Sequence, residues 1–207
     1  MVTKIMLTNC IFRYYFICFL LALFFSLLSN NFANSDETFA PKDFVKNVYS
    51  KIDAISSANL TKPERISKML DLFDDHVDIL FISRAVLGSN WKKASRDQRL
   101  RFSSAFKAYM AKKYGSQFKD FNSGKLKIEN VVAQGSKGFI IQSKILTEKS
   151  KAFDIAWQVV ISKDDLKLIN IKFEGISMIH SERTEIRNLI KSQSGSMEGL
   201  ISELGQY

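Results

Sequence analysis

The chain has 207 residues, 46% of them hydrophobic, and a formal net charge of +9 at pH 7. That is enough apolar material for one packed domain, and two prolines with nine glycines exclude a disordered or low-complexity chain. The lysines and arginines are scattered along predicted helices and hairpins and not gathered in a block, so they read as a solvated basic surface.

The N-terminus predicts location. Lys4 and Arg13 precede Tyr14–Leu28, an uncharged apolar run, and Ala33-Asn34-Ser35 places small residues before a cut at Asp36. This order of positive, apolar and small residues predicts a signal peptide over 1–35 and a single domain over 36–207. The alternative, an uncleaved anchor, needs about 20 apolar residues, more than the run supplies. Both cysteines, Cys10 and Cys18, fall inside the segment, so the mature chain is expected to have no disulfide and no cysteine-ligated metal.

From Pro41 the pattern is helical. Phe44, Val45, Val48, Ile52 and Ile55 recur at three- and four-residue steps, and Thr61 caps a second helix carrying Ile66, Met69, Leu70, Phe73 and Val77. A short helical piece over Asp78–Leu87 ends at Gly88. Ser95 caps a long helix lined by Leu100, Phe102, Phe106, Tyr109, Met110, Tyr114 and Phe118.

After Asn122-Ser123-Gly124 the period changes to two. Strands are predicted over Lys125–Ala133, Gly138–Thr147, Ala152–Ser162 and Leu166–Phe173, and their short links imply hairpins and an antiparallel meander. Phe153, Ile155, Trp157, Val159 and Ile161 share one strand face, which must be covered. Across Glu174-Gly175-Ile176-Ser177 the last strand turns into a helix over Met178–Gln193, followed by Met197–Leu204. Helices, four strands and helices predict an α+β fold: a four-stranded antiparallel sheet covered by N- and C-terminal helices.

Reactive constellations are few. His76 and His180 lie in no metal-binding spacing, Ser177 is not in a G-x-S-x-G elbow, and there is no glycine-rich phosphate loop. The expectation is therefore no enzyme, no metal, no cofactor and no nucleic-acid partner. Seventeen phenylalanines leave two readings, a solid core or an apolar ligand cavity, which periodicity does not separate.

Specific words in the sequence go further. Leu87-Gly88-Ser89-Asn90-Trp91-Lys92-Lys93-Ala94-Ser95, with Gln98-Arg99 and Phe102, resembles the L-G-x-x-W-(basic)-x-A-S-x-x-Q-R-x-x-F signature of the MlaC family, also called the toluene-tolerance family. Tyr114–Phe121 resembles its Y-x-x-x-(apolar)-x-x-(aromatic) stretch. Glu174-Gly175-Ile176-Ser177, Arg183 and Leu200-Ile201-Ser202-Glu203-Leu204 resemble its tail. The chain departs from that pattern at Leu166 for Trp, Asn170 for Asp, Ser181-Glu182 for Asn-Tyr and Ile186 for Phe.

The resemblance implies a monomeric periplasmic phospholipid carrier. Its implied partners are an inner-membrane ABC transporter complex and an outer-membrane lipoprotein/porin complex, in the pathway that keeps outer-membrane lipid asymmetric. The expected cargo pocket, enclosed by sheet and helices, is lined by Phe139, Ile141, Phe153, Ile155, Trp157 and Val159 from the sheet. Val86, Leu87, Phe102, Phe106 and Met110 are its expected helical wall. The alternative is a non-enzymatic interaction module with a solid core and no ligand.

Overall fold

The computed structural model describes residues 39–117, 124–147 and 151–206. The predicted signal peptide lies outside the described residues, as do Phe118 and the end of the Tyr114–Phe121 word. The described elements are α1 (Phe39–Ser57), α2 (Lys62–His76), α3 (Ile79–Leu87), α4 (Ser89–Lys93), α5 (Arg96–Gln117), β1 (Lys125–Gln134), β2 (Gly138–Leu146), β3 (Ala152–Ser162), β4 (Asp165–Phe173), β5 (Ile176–Ser177), α6 (Met178–Ser192) and α7 (Met197–Gln206). No helix among the described residues is long and apolar enough to cross a membrane.

Caps set the helix starts. The Thr61 hydroxyl accepts from the Glu64 amide while the Glu64 carboxylate accepts from the Thr61 amide at 2.8 Å, a reciprocal box that opens α2. Ser95 and Gln98 repeat the device at α5, with bonds of 3.1 and 2.9 Å. Asp78 accepts from the Phe81 amide at 2.9 Å to start α3, and its own amide donates to the Leu168 carbonyl at 3.0 Å, which ties α3 to β4. Arg65 is buried, and its guanidinium donates to the carbonyls of Ile55, Ser56, Ala58 and Leu60, where the end of α1 leaves carbonyls without helical partners.

The sheet is an antiparallel meander in the order β1-β2-β3-β4-β5. It has five strands where the sequence predicted four, because Ile176 and Ser177 pair back onto Phe173 and Lys172 before the chain turns helical. Two residues are too few to show a period, so the pattern gave no sign of this strand. Glu174 and Gly175 make the intervening turn with φ of 49° and 78°, the left-handed backbone that the expected turn at Gly175 requires. A bulge in β4 sets Gln158 against Asn170 and Val159 against Leu168, leaving Ile169 unpaired.

Alternation along β2 buries Phe139, Ile141, Ser143 and Ile145, and β3 buries Ile155, Trp157 and Val159 on the same face. That face meets Val45, Val48, Ile52 and Ile55 of α1 and Met69 and Leu72 of α2. A second core joins α3, α5, α6 and α7 through Ile82, Val86, Phe102, Phe106, Ile186, Leu200 and Leu204. Two further differences from the sequence reading follow from packing. The short helix α4 was not expected, and Leu100, placed on the stripe of the long helix, is 58% exposed because it lies two residues, more than half a turn, from Phe102.

Candidate functional site

The covered sheet face does not close completely on its helices. Between them lies a cavity of about 250 Å³. Its floor is Ile145 from β2, Ile155 and Trp157 from β3, and Ile171 and Phe173 from β4. Tyr49, Ile52, Asp53 and Ser56, at steps of three, one and three residues on a single face of α1, form one wall; Tyr114 of α5 and Met178 of α6 complete it. A smaller lobe of about 40 Å³ lies behind, among α2, α3, α5 and β4. Ile52, Tyr114, Ile171 and Met178 border both lobes, so these four side chains are the partition between them.

The structure divides the residues expected to line a cargo pocket. Ile155 and Trp157 line the larger lobe, and Phe106 and Met110 the smaller. Phe153 sits at the end of the same sheet face, its ring centroid 5.3 Å from that of the lining residue Phe173. Phe102, Phe139, Ile141 and Val159 are buried in close packing and border neither lobe. Val86 and Leu87 belong to the helical core and border a separate polar recess with Arg183 and Arg187.

The wall contributed by α1 was missed. Tyr49, Asp53 and Ser56 lie one row away from the Val45-Val48-Ile52 stripe, and a hydrophobic pattern marks only the apolar row. Ile171 and Phe173 follow the period-two pattern of β4, which was legible, but their place under a cavity depends on how far α1 stands from the sheet.

Apart from Asp53, whose buried Oδ1 has no hydrogen-bond partner among the described residues, the polar groups in the wall are tied down. Tyr49 donates to the Gly124 carbonyl at 2.6 Å, Ser56 to the Ile52 carbonyl at 2.8 Å, and the Trp157 indole to the Ser143 hydroxyl at 2.9 Å. Tyr114 donates to the Glu182 Oε1 at 2.6 Å, and the Lys113 ammonium donates to the same oxygen at 2.8 Å and to the Tyr109 hydroxyl at 3.0 Å. Burial, and then the bond to the Glu182 carboxylate, push the Tyr114 phenol well above its ordinary range. This wall can shelter hydrocarbon. Among the described residues no group of three or more His, Cys, Asp or Glu side chains could hold a metal ion.

A family model described as MlaC protein matches residues 42–206. No curated protein matches. Among solved structures, a phospholipid-binding protein from Ralstonia solanacearum, determined in complex with a phospholipid, is similar in fold at a TM-score of 0.65 and 16% identity, over 81% of this chain and 93% of that one.

Proposed function

Since this chain belongs to the MlaC family, we propose that it is a phospholipid carrier that holds acyl chain between the sheet and α1. The observation that carries the reading is the cavity of about 250 Å³, walled almost wholly by apolar side chains and parted from a second apolar lobe only by the side chains the two share. A solid-core interaction module has no use for such a space. Supporting it, a fold neighbour holds a phospholipid.

The energetics suit transport. Each methylene moved from water into the cavity is worth about 0.8 kcal/mol, but a bilayer offers nearly the same environment. Exchange between carrier and membrane is therefore close to balance, and docking decides its direction. No bond is made or broken, so no catalytic group is required.

In the finer reading, residues 1–35 direct the chain to the periplasm as a cleaved signal peptide. There the monomeric carrier moves lipid between an inner-membrane ABC transporter complex and an outer-membrane lipoprotein/porin complex. The family membership and the apolar leader support that reading. Ile155, Trp157, Phe106 and Met110 are its proposed contacts with cargo, and Phe102, Phe139, Ile141, Phe153, Val159, Val86 and Leu87 support them from behind or beside.

Native mass spectrometry of the purified protein tests the carrier. The expected result is a population heavier by one phospholipid mass that is lost on denaturation. A protein that stays unliganded after incubation with phospholipid vesicles overturns the reading.

A further inference from the structure

Helices α3 and α6 run side by side in the same direction. Ile79 and Met178, their first residues, both border the smaller lobe, and Leu87 and Ile190, at or near their ends, both border the polar recess. Between those ends the Arg183 guanidinium donates to the Ala85 carbonyl at 2.9 and 2.6 Å, so the outer faces of the two helices are continuous. On α6, Arg183, Arg187 and Lys191 follow at four-residue steps and are exposed, and Arg84 is exposed on α3 beside Ala85. Among the described residues no carboxylate pairs with any of these four cations. The acids of the two helices are turned away or occupied. Glu182 is fully buried against Tyr114, Glu185 stands two residues from each arginine and so about 200° round the helix, and Asp78 accepts from the Phe81 amide at 2.9 Å.

The N-terminal end of the same face is apolar. Leu80 and Phe81, in the first turn of α3, are 53% and 45% exposed, and Arg84 follows them at four and three residues, on the same side of the helix. Ile176, directly before the Ser177 cap of α6, is 65% exposed. We propose that this face docks on an anionic phospholipid bilayer, with Leu80 and Phe81 entering the interface and Arg84, Arg183, Arg187 and Lys191 meeting lipid phosphates. A bilayer supplies hydrocarbon and negative charge at adjacent depths, which is the order in which the face presents its apolar end and its cations. An acidic protein matches the cations but not the apolar end beside them. Like charge keeps two copies of the face apart. Met178, which borders both lobes, begins α6 at the apolar end, so docking there brings the cavity next to the membrane.

Vesicle flotation tests the surface. The purified protein is mixed with vesicles of phosphatidylcholine alone, or of equal parts phosphatidylcholine and phosphatidylglycerol, and floated through a density gradient. Binding to the mixed vesicles is expected to exceed binding to phosphatidylcholine by at least about tenfold and to fall as salt is raised. Arg187→Glu with Lys191→Glu is expected to lower it at least about tenfold, and Leu80→Ser with Phe81→Ser at least about fivefold. Both pairs are exposed, so the fold is expected to survive, and the salt dependence of the unaltered protein reads the same contact without substitution. No flotation, equal flotation with both vesicles, or charge reversal without effect overturns the assignment. Loss on charge reversal with full flotation of the serine variant marks a purely electrostatic contact, as an acidic protein would make, and overturns it too. Flotation reads the surface whether or not lipid enters the cavity, so this proposal and the carrier reading fail separately.

Discussion

Tyr114 of α5 and Glu182 of α6 meet through a 2.6 Å hydrogen bond, although Glu182 is fully buried and stands where the family pattern has Tyr. The bond fastens the helix that roofs both lobes to the helix that follows the last strand. The second oxygen of Glu182 has no partner among the described residues, so the bonds to its first oxygen are what hold the buried charge. Tyr114→Phe leaves that carboxylate with Lys113 and is expected to cost about 1–3 kcal/mol in urea denaturation. An unchanged midpoint sinks the idea of a fastening.

The same cluster sets the alkaline limit of stability. Burial pulls the Lys113 ammonium down, but the bonds to Glu182 and Tyr109 outweigh it and leave the group raised; burial raises Tyr109 and Tyr114. A raised value in the folded state means the protonated form is favoured by folding. The contribution is therefore fully present below the unfolded values, near pH 10, and is lost as pH climbs through the folded ones. Urea midpoints are expected to be flat from pH 7 to 9 and to fall above about pH 10, with a shallower fall in Tyr114→Phe. Equal slopes for the two proteins contradict this assignment.

Cavity and core make opposite demands on neighbouring aromatic and aliphatic residues. Ile155→Trp projects into the larger lobe and is expected to lower co-purifying lipid at least about tenfold with little loss of stability, since the added rings fill space already present. Phe102→Ala borders neither lobe and is expected to cost about 3–5 kcal/mol. Thermal melts beside lipid extraction decide it: if Ile155→Trp keeps its full lipid load, the larger lobe is not the cargo site.

Arg65 predicts a failure of conservative replacement. Its guanidinium reaches four carbonyls around the end of α1 from one buried position. Lysine offers a single nitrogen and cannot span them. Arg65→Lys is expected to lose about 1.5–3 kcal/mol, nearly as much as Arg65→Met, by chemical denaturation. Full stability in the lysine variant refutes the clamp.

Asn170 shows how a single departure from the family pattern is absorbed. Its amide donates to the Gln158 Oε1 at 2.7 Å and the Ser177 hydroxyl at 2.9 Å, and its carbonyl accepts from the Ile179 amide at 3.1 Å. The family's Asp at this position keeps the acceptor role but not the donor. Asn170→Asp is therefore expected to be milder than Asn170→Ala, which orphans all three partners; the reverse order of urea midpoints contradicts this account.

Local chemistry was legible in the chain. The caps at Thr61 and Ser95, the turn at Gly175 and the alternation from Phe153 to Val159 depend on neighbours within a few residues, so the sequence by itself determined the longer elements, their order and the meander, but not α4 or β5. The family words around Leu87–Phe102 and Glu174–Ser177 carried the family, which no single side chain reveals. Tertiary structure decided the rest, because a cavity is a distance between surfaces and periodicity records only which surface is apolar. Phe102 and Phe106 share one stripe of α5, yet Phe102 is packed solid and Phe106 borders a lobe. Asp53 reads as an ordinary polar helix residue, and only the packing of α1 over the sheet makes it part of a cavity wall.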